Sequence, residues 1–309
     1  TKAIITTLKA RQPVFLYGAR RGLAPIVLCR DCGHIFRCPD SGTPYSLLRT
    51  RKNGEEQRWF LSSVSGRRVA AATTCPECGS WRLQERGIGI QQAYDAVVEA
   101  FPDTPVILFD HTTATTARRA RQLISRFYDE KGAILIGTVM ALPFLDTPVA
   151  TSAVLSMDAA RTIPTWRADE EILSLLLRLR ELSTKEVLVQ TRDPESDILT
   201  YAREGTVAQF YSDELALRES LHYPPFTTFV HLTLQGTTTE VSALERDTQG
   251  ALAPWDPRWY DAPTGTQSAT TRYALLRISR SAWPDRELIT ALRTLSPAIK
   301  IQIDPARIV

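Results

Sequence analysis

Two short runs decide the reading of this chain: Thr104-Pro105-Val106-Ile107-Leu108-Phe109-Asp110 and Gly132-Ala133-Ile134-Leu135-Ile136-Gly137-Thr138. Each is a brief apolar segment bounded by proline, glycine or a charge, the pattern of a buried strand. Between them Thr116–Glu130 is a charged, helical stretch. The alternation continues outward: Thr151–Ser156 reads as a strand and Ala168–Leu182 as a helix. In that helix Ile172, Leu175, Leu176, Leu179 and Leu182 fall at helical spacing, and Glu186–Thr191 is strand-like again. Apolar strands alternating with amphipathic helices predict a parallel sheet covered on both faces. The double proline in Tyr223-Pro224-Pro225-Phe226 cannot continue a helix and marks a boundary. Beyond it lie strands at Thr227–Leu234, Arg272–Ser279 and Lys300–Asp304, with helices near Glu240–Leu252 and Asp285–Leu295. The expected fold is α/β followed by a small α+β domain.

Upstream, Cys29-Arg30-Asp31-Cys32-Gly33 and Cys75-Pro76-Glu77-Cys78-Gly79 share the form Cys-x-x-Cys-Gly. Two residues between thiolates let one tight turn offer both sulfurs to a single ion, and the glycine after each pair permits the positive φ such turns need. Together the four make a tetrahedral sulfur shell suited to zinc, with no position open for a reactive water. One structural zinc ion is therefore expected on Cys29, Cys32, Cys75 and Cys78. It would clamp the base of a long excursion, since 42 residues separate the pairs. Cys38-Pro39-Asp40-Ser41 looks like a third pair that has lost its second cysteine, and His34 reads as a neighbour of the site or a surface residue.

The chain has 309 residues, 43% hydrophobic and 23% charged, which is ordinary for a globular protein. No run approaches the ~20 apolar residues of a membrane span, and Thr1–Arg11 has no secretory core. Thiolate metal ligation in a cytoplasmic protein explains the cysteines better than a disulfide scaffold does. A chain beginning with Thr rather than Met leaves room for sequence upstream. Between Ser46 and Thr74 stand six basic residues, Arg49, Arg51, Lys52, Arg58, Arg67 and Arg68, against Glu55 and Glu56. That local excess is larger than the net +3 of the whole chain. Two readings fit it: a polyanion partner, or a solvated loop.

Catalytic constellations are scarce. There is no Gly-x4-Gly-Lys-Ser/Thr loop and no Rossmann fingerprint; Gly87-Ile88-Gly89 lacks the third glycine. The four histidines, His34, His111, His222 and His231, sit in no nucleophile or ligand motif. Asp110-His111 follows a strand, where active-site residues of α/β proteins often lie, but without a nucleophile it reads as a strand-end turn.

In their order and spacing, several motifs resemble one family, the replication-restart DNA helicases PriA, or primosomal protein N-prime. The resemblance begins at Phe15-Leu16-Tyr17-Gly18-Ala19-Arg20-Arg21-Gly22-Leu23-Ala24-Pro25 and runs through both cysteine pairs, Gly87-Ile88-Gly89 and Phe101-Pro102. It continues in Ile134-Leu135-Ile136-Gly137-Thr138-Val139-Met140, Asp158, Trp166-Arg167-Ala168, Glu186–Thr191, the double proline and Ile303-Asp304-Pro305. It implies that residues 1–215 are a RecA-like second helicase lobe with a zinc-binding insertion at about 28–83. Residues 216–309 would be an α+β C-terminal DNA-binding domain. The family uses ATP to open abandoned forks and load the replicative helicase.

Departures from the family pattern limit what carries over. The first lobe, with its phosphate loop, has no counterpart in this sequence. The family's Gly-Arg-Ala-Gly-Arg motif is missing where Leu182-Ser183-Thr184-Lys185 runs into the strand, and such an arginine contributes ~10³-fold or more to phosphoryl transfer. The Lys-Gly after Gly-Thr-x-Met is replaced near Leu142-Pro143, and of a second zinc site only Cys38 is left.

The expected function is a PriA-like protein that binds forked or single-stranded DNA and recruits primosome and replication proteins, with no helicase activity of its own and no membrane partner. DNA contacts are expected from Arg20, Arg21, Arg49, Arg51, Lys52, Arg67, Arg68, Arg272, Tyr273 and Arg277, with Tyr273 or Trp59 stacking a base. The resemblance implies that Gly137, Thr138, Asp158 and Arg167 are remnants of the family's nucleotide site, and no catalytic residue is expected among them. Two alternatives stand beside this: half of an active ATP-dependent helicase, or a protein-binding scaffold that has lost DNA binding.

Overall fold

The computed structural model describes residues 2–19, 26–39, 43–52, 55–62, 67–86, 89–161, 165–261, 270–306 and 308; for Arg51, Lys52, Glu55 and Arg86 it describes the backbone alone. Arg20 and Arg21 lie outside the described residues. The chain divides into two compact units. One comprises Thr1–Phe36, Pro44–Ile163 and Asp169–Arg203; the other comprises Arg37–Thr43, Pro164–Ala168 and Glu204–Val309.

The first unit opens with α1 (Lys2–Lys9) and β1 (Val14–Tyr17). An inserted module follows, with β2 (Ile26–Cys29), β3 (Ser46–Lys52), β4 (Glu55–Leu61), β5 (Arg68–Ala70) and β6 (Leu83–Arg86). The α/β alternation then runs α2 (Ile90–Ala100), β7 (Val106–Phe109), α3 (Ala117–Asp129), β8 (Ile134–Gly137) and β9 (Val149–Val154). It continues with α4 (Met157–Arg161), α5 (Ala168–Leu182), β10 (Ser183–Val189) and α6 (Asp197–Glu204). Among the described residues, five strands form one parallel sheet in the order β10-β9-β1-β8-β7.

The apolar runs of the sequence become strands: β1, β8 and β9 are buried on both faces, and the edge strand β7 is buried on one and half-buried on the other. Val14, Leu16, Ile134, Ile136, Ile90 and Ala153 form one core cluster. Phe15 and Leu135 alternate to the opposite face, each fully buried. Helix α3 buries Ala120, Leu123, Ile124 and Phe127, a clean i, i+3, i+4, i+7 stripe. The Thr116 side chain caps it by accepting from the Arg119 N–H at 3.2 Å. Helix α5 occupies the predicted span, although Leu173 is buried and Leu175 is half-buried, so its core stripe is turned slightly from the predicted one.

The second unit contains α7 (Val207–Ser220), β11 (Thr227–Gly236), α8 (Thr238–Leu252), β12 (Arg258–Asp261), β13 (Thr270–Ser279), α9 (Arg286–Thr294) and β14 (Lys300–Ile303). The four strands form an antiparallel sheet, β12-β13-β11-β14. Val230, Leu232, Leu234, Leu276 and Ile278 pack from it against Val241, Leu252, Leu288 and Leu292 of α8 and α9. Thr237 and Glu240 cap α8 reciprocally: Thr237 Oγ1 accepts from Glu240 N, and the Glu240 carboxylate accepts from Thr237 N. The whole is an α/β protein with a parallel central sheet and a cysteine-bearing insertion, consistent with a RecA-like lobe followed by a small α+β unit.

Candidate metal centre and nucleic-acid interface

The two Cys-x-x-Cys-Gly turns fold alike. In each, the glycine N–H donates back to the first cysteine's carbonyl: Gly33 to Cys29 at 3.0 Å and Gly79 to Cys75 at 2.9 Å. In each, the first cysteine's N–H closes the turn, Cys29 to the His34 carbonyl and Cys75 to the Ser80 carbonyl, both at 2.8 Å. Gly33 and Gly79 have φ of 76° and 72°, the left-handed region that residues with a Cβ avoid. The antiparallel β2–β6 pair, with Cys29 opposite Leu83, brings the two turns together.

The four ligand sulfurs lie within 4.8 Å of one another, with Cys29–Cys78 at 3.5 Å and Cys32–Cys75 at 3.6 Å. These separations are far from the ~2.05 Å of a disulfide. They are close to the ~3.8 Å edge of a tetrahedron with zinc–sulfur bonds of ~2.3 Å. The residues therefore fit a tetrahedral thiolate-bound metal. Cys38 is not part of this group, and neither is His34, which packs edge-on against Phe36 and places Nδ1 3.8 Å from Glu77.

Above this base the insertion carries a second sheet, β3-β4-β5. Its register puts Arg49 opposite Arg58 and Arg51 opposite Glu56. Two guanidinium groups side by side repel, and carboxylates answer them: Arg49 pairs with Asp95 and Glu56, and Arg58 with Glu56 and Glu85. Gln91 of α2 grips the Arg49 backbone at both ends, accepting from its N–H at 3.1 Å and donating to its carbonyl at 3.2 Å. Arg68 lies over the Trp59 ring, 4.3 Å from the centroid, while the indole N–H donates to Thr50.

In the second unit, Arg272 pairs with Glu245 and Asp261, and Arg277 stands over the Tyr223 and Phe229 rings. Tyr273 is 6% exposed and packs at a tilt against the rings of His231 and Tyr260. The guanidinium groups of Arg167 and Arg218 both lie over the Trp166 ring, 4.4 and 4.8 Å from its centroid.

At the carboxyl ends of the parallel strands, Gly137 is held by close packing: a Cβ there would meet Ala141 Cβ at 2.9 Å and the Phe109 carbonyl at 3.3 Å. Thr138 Oγ1 accepts from Met140 N and caps a short 3₁₀ turn. Asp158 accepts from Thr191 Oγ1 and Arg192 N, both at 3.1 Å. Asp110 spends one carboxylate oxygen on the N–H groups of Thr112 and Thr113 and the Thr112 hydroxyl, which makes it a strand-end turn. Helix α5 passes into β10 with no residue between.

No helix among the described residues is long and apolar enough to cross a membrane. No family model matches the chain. Among curated proteins it is similar to the replication restart protein PriA of Chlamydia muridarum, 29% identical over 79% of this chain and 33% of that protein. It is 30% identical to PriA of Bacillus subtilis over 72% of this chain and 27% of the relative. With PriA of Chlamydia pneumoniae the similarity extends over 98% of this chain and 42% of the relative, at 28% identity. The chain thus spans about a third of the length of the curated relatives it matches.

Proposed function

Because this chain belongs to the PriA family and corresponds to its C-terminal region, we propose that it acts in replication restart, binding forked or single-stranded DNA and supporting primosome assembly with replication-protein partners. The observation that carries the proposal is the pair of matching cysteine turns at the base of a cation-bearing insertion. In this reading one zinc ion sits on Cys29, Cys32, Cys75 and Cys78. Its chemistry is structural, since thiolates take all four positions. Residues 1–215 act as the second helicase lobe, with the insertion at about 28–83, and residues 216–309 as the DNA-binding C-terminal domain.

Phosphates would be met by Arg51, Lys52, Arg67 and Arg68 in the insertion, Arg20 and Arg21 on the lobe, and Arg277 in the second unit. Arg49 and Arg272 contribute less, because reaching DNA means leaving carboxylates they already hold. Gly137, Thr138, Asp158 and Arg167 remain from a nucleotide site, and this chain alone does not turn over ATP. The setting is cytoplasmic.

The test is fluorescence anisotropy of zinc-loaded protein with a labelled forked oligonucleotide and a blunt duplex of equal length. Tighter binding to the fork is expected. Absence of binding to either at low salt overturns the DNA reading in favour of a protein-binding scaffold.

A further inference from the structure

Trp81, just past the second cysteine turn, has 79% of its surface exposed, more than any other large apolar side chain among the described residues. Leaving an indole in water forgoes a large transfer free energy, and a pliable loop would lay the ring down. This loop is held on both sides of the ring. The Cys75 N–H donates to the Ser80 carbonyl and the Leu83 N–H to the Trp81 carbonyl, each at 2.8 Å. Arg82 N donates to Ser80 Oγ at 3.1 Å, and Arg30 N to the Arg82 carbonyl at 2.9 Å. The Asp31 carboxylate of the first turn accepts from Ser80 Oγ at 2.5 Å and from Arg82 Nη1 at 3.0 Å. The turn that presents Trp81 is thereby stitched to the other half of the metal site.

We infer that Trp81 is a stacking platform for an unpaired base of single-stranded DNA, displayed by the metal-binding turns; this rests on the DNA-binding reading above. The sequence offered Trp59 and Tyr273 for that task, but Arg68 already covers the Trp59 ring and Tyr273 is packed inside its unit. The surroundings of Trp81 favour a base over a protein. Aromatic anchors of protein interfaces sit inside a patch that excludes water. Here the side chains that brace the loop, those of Ser80, Arg82 and Asp31, are polar or charged. A base needs one π face, with cations near enough for its phosphates, and Arg30 and Arg82 are such cations, the latter already shared with Asp31.

The experiment titrates a labelled oligo-dT with the full zinc-loaded chain and with the variants Trp81→Ala and Trp81→Phe. Trp81→Ala should weaken binding roughly 5- to 100-fold, and Trp81→Phe should keep most of the affinity. The salt slope should not change in either, because stacking releases no counterions. Zinc content should match the native protein, since the ring is mostly exposed and Trp81 is none of the four cysteines. On an oligonucleotide of abasic sugars, native protein and Trp81→Ala should bind alike. An unchanged oligo-dT affinity in Trp81→Ala, with the native protein still binding, overturns the inference, leaves the DNA reading standing and points to a protein contact for the ring. An equal loss on the abasic strand also overturns it. No binding by the native protein at low salt removes both.

Discussion

His231 is 4% exposed in β11, against the rings of Tyr260 and Tyr273. Burial first, and then the charge of Lys300, push its pKa down to about 4 from an ordinary 6.5, against the pull of an Ile308 backbone contact. The folded protein therefore keeps the ring neutral at pH values where the unfolded chain protonates it. The unfolded state binds more protons between about pH 6.5 and pH 4, so stability is full above that window and falls as pH drops through it. The amplitude is roughly 3 kcal/mol. Urea midpoints at pH 7 and pH 5 should separate for the native protein and draw together for His231→Phe; an equal separation in both would assign the pH dependence to other groups. At the candidate metal centre, Cys75→Ser removes one of the four clustered cysteines proposed to hold zinc. Metal content should drop and the thermal transition of the insertion should broaden or fall. Unchanged metal content and unfolding would mean Cys75 is not a ligand.

Among the elements, the joint between β3 and α2 has the least sequence signal and a clear mechanical meaning. Gln91 supplies two hydrogen bonds to the Arg49 backbone, and Asp95 takes its guanidinium. Gln91→Ala should cost ~1–2 kcal/mol, felt as faster amide exchange in β3 and β4 with metal content unchanged. Exchange equal to that of the native protein would show that the joint carries no load. The strands β7, β8 and β9 and the helices α3 and α5 were legible because burial on both faces, or on one stripe, writes itself into local apolar spacing. The clustering of the four cysteines was legible for the same reason: two residues between the cysteines of each pair and a glycine after them are local facts. The short β1 could be quoted only as part of a motif, and the insertion's β3 and β4 were hidden because arginines, glutamates and apolar residues share their faces. That Arg49 would meet Asp95, or that Trp81 would stand exposed, depends on contacts and exposures set by the fold. No local pattern announces them.

At the scale of the whole molecule, α5 running directly into β10 leaves no segment for an arginine-bearing loop, and the chain should show background ATP hydrolysis with or without DNA. DNA-stimulated turnover that disappears in Arg167→Ala would contradict this and give that arginine a catalytic role. The insertion closed by the four cysteines, proposed above as a DNA-binding element, should reveal that role in the salt dependence of binding. Each phosphate neutralised by a lysine or arginine releases counterions, so the logarithm of affinity falls with the logarithm of salt by about 0.7 to 0.9 per contact. Changing Arg51, Arg67 and Arg68 together to Glu should weaken binding to forked DNA of any sequence and flatten the slope by about two to three units, because phosphate contacts carry no base information. Zinc should stay bound, since none of the three is a ligand. A forked oligonucleotide followed by anisotropy across a salt series gives the answer: a weaker and flatter response in the charge-reversed protein is the predicted result, and an affinity and slope equal to the native protein's would remove the insertion from the DNA-binding surface.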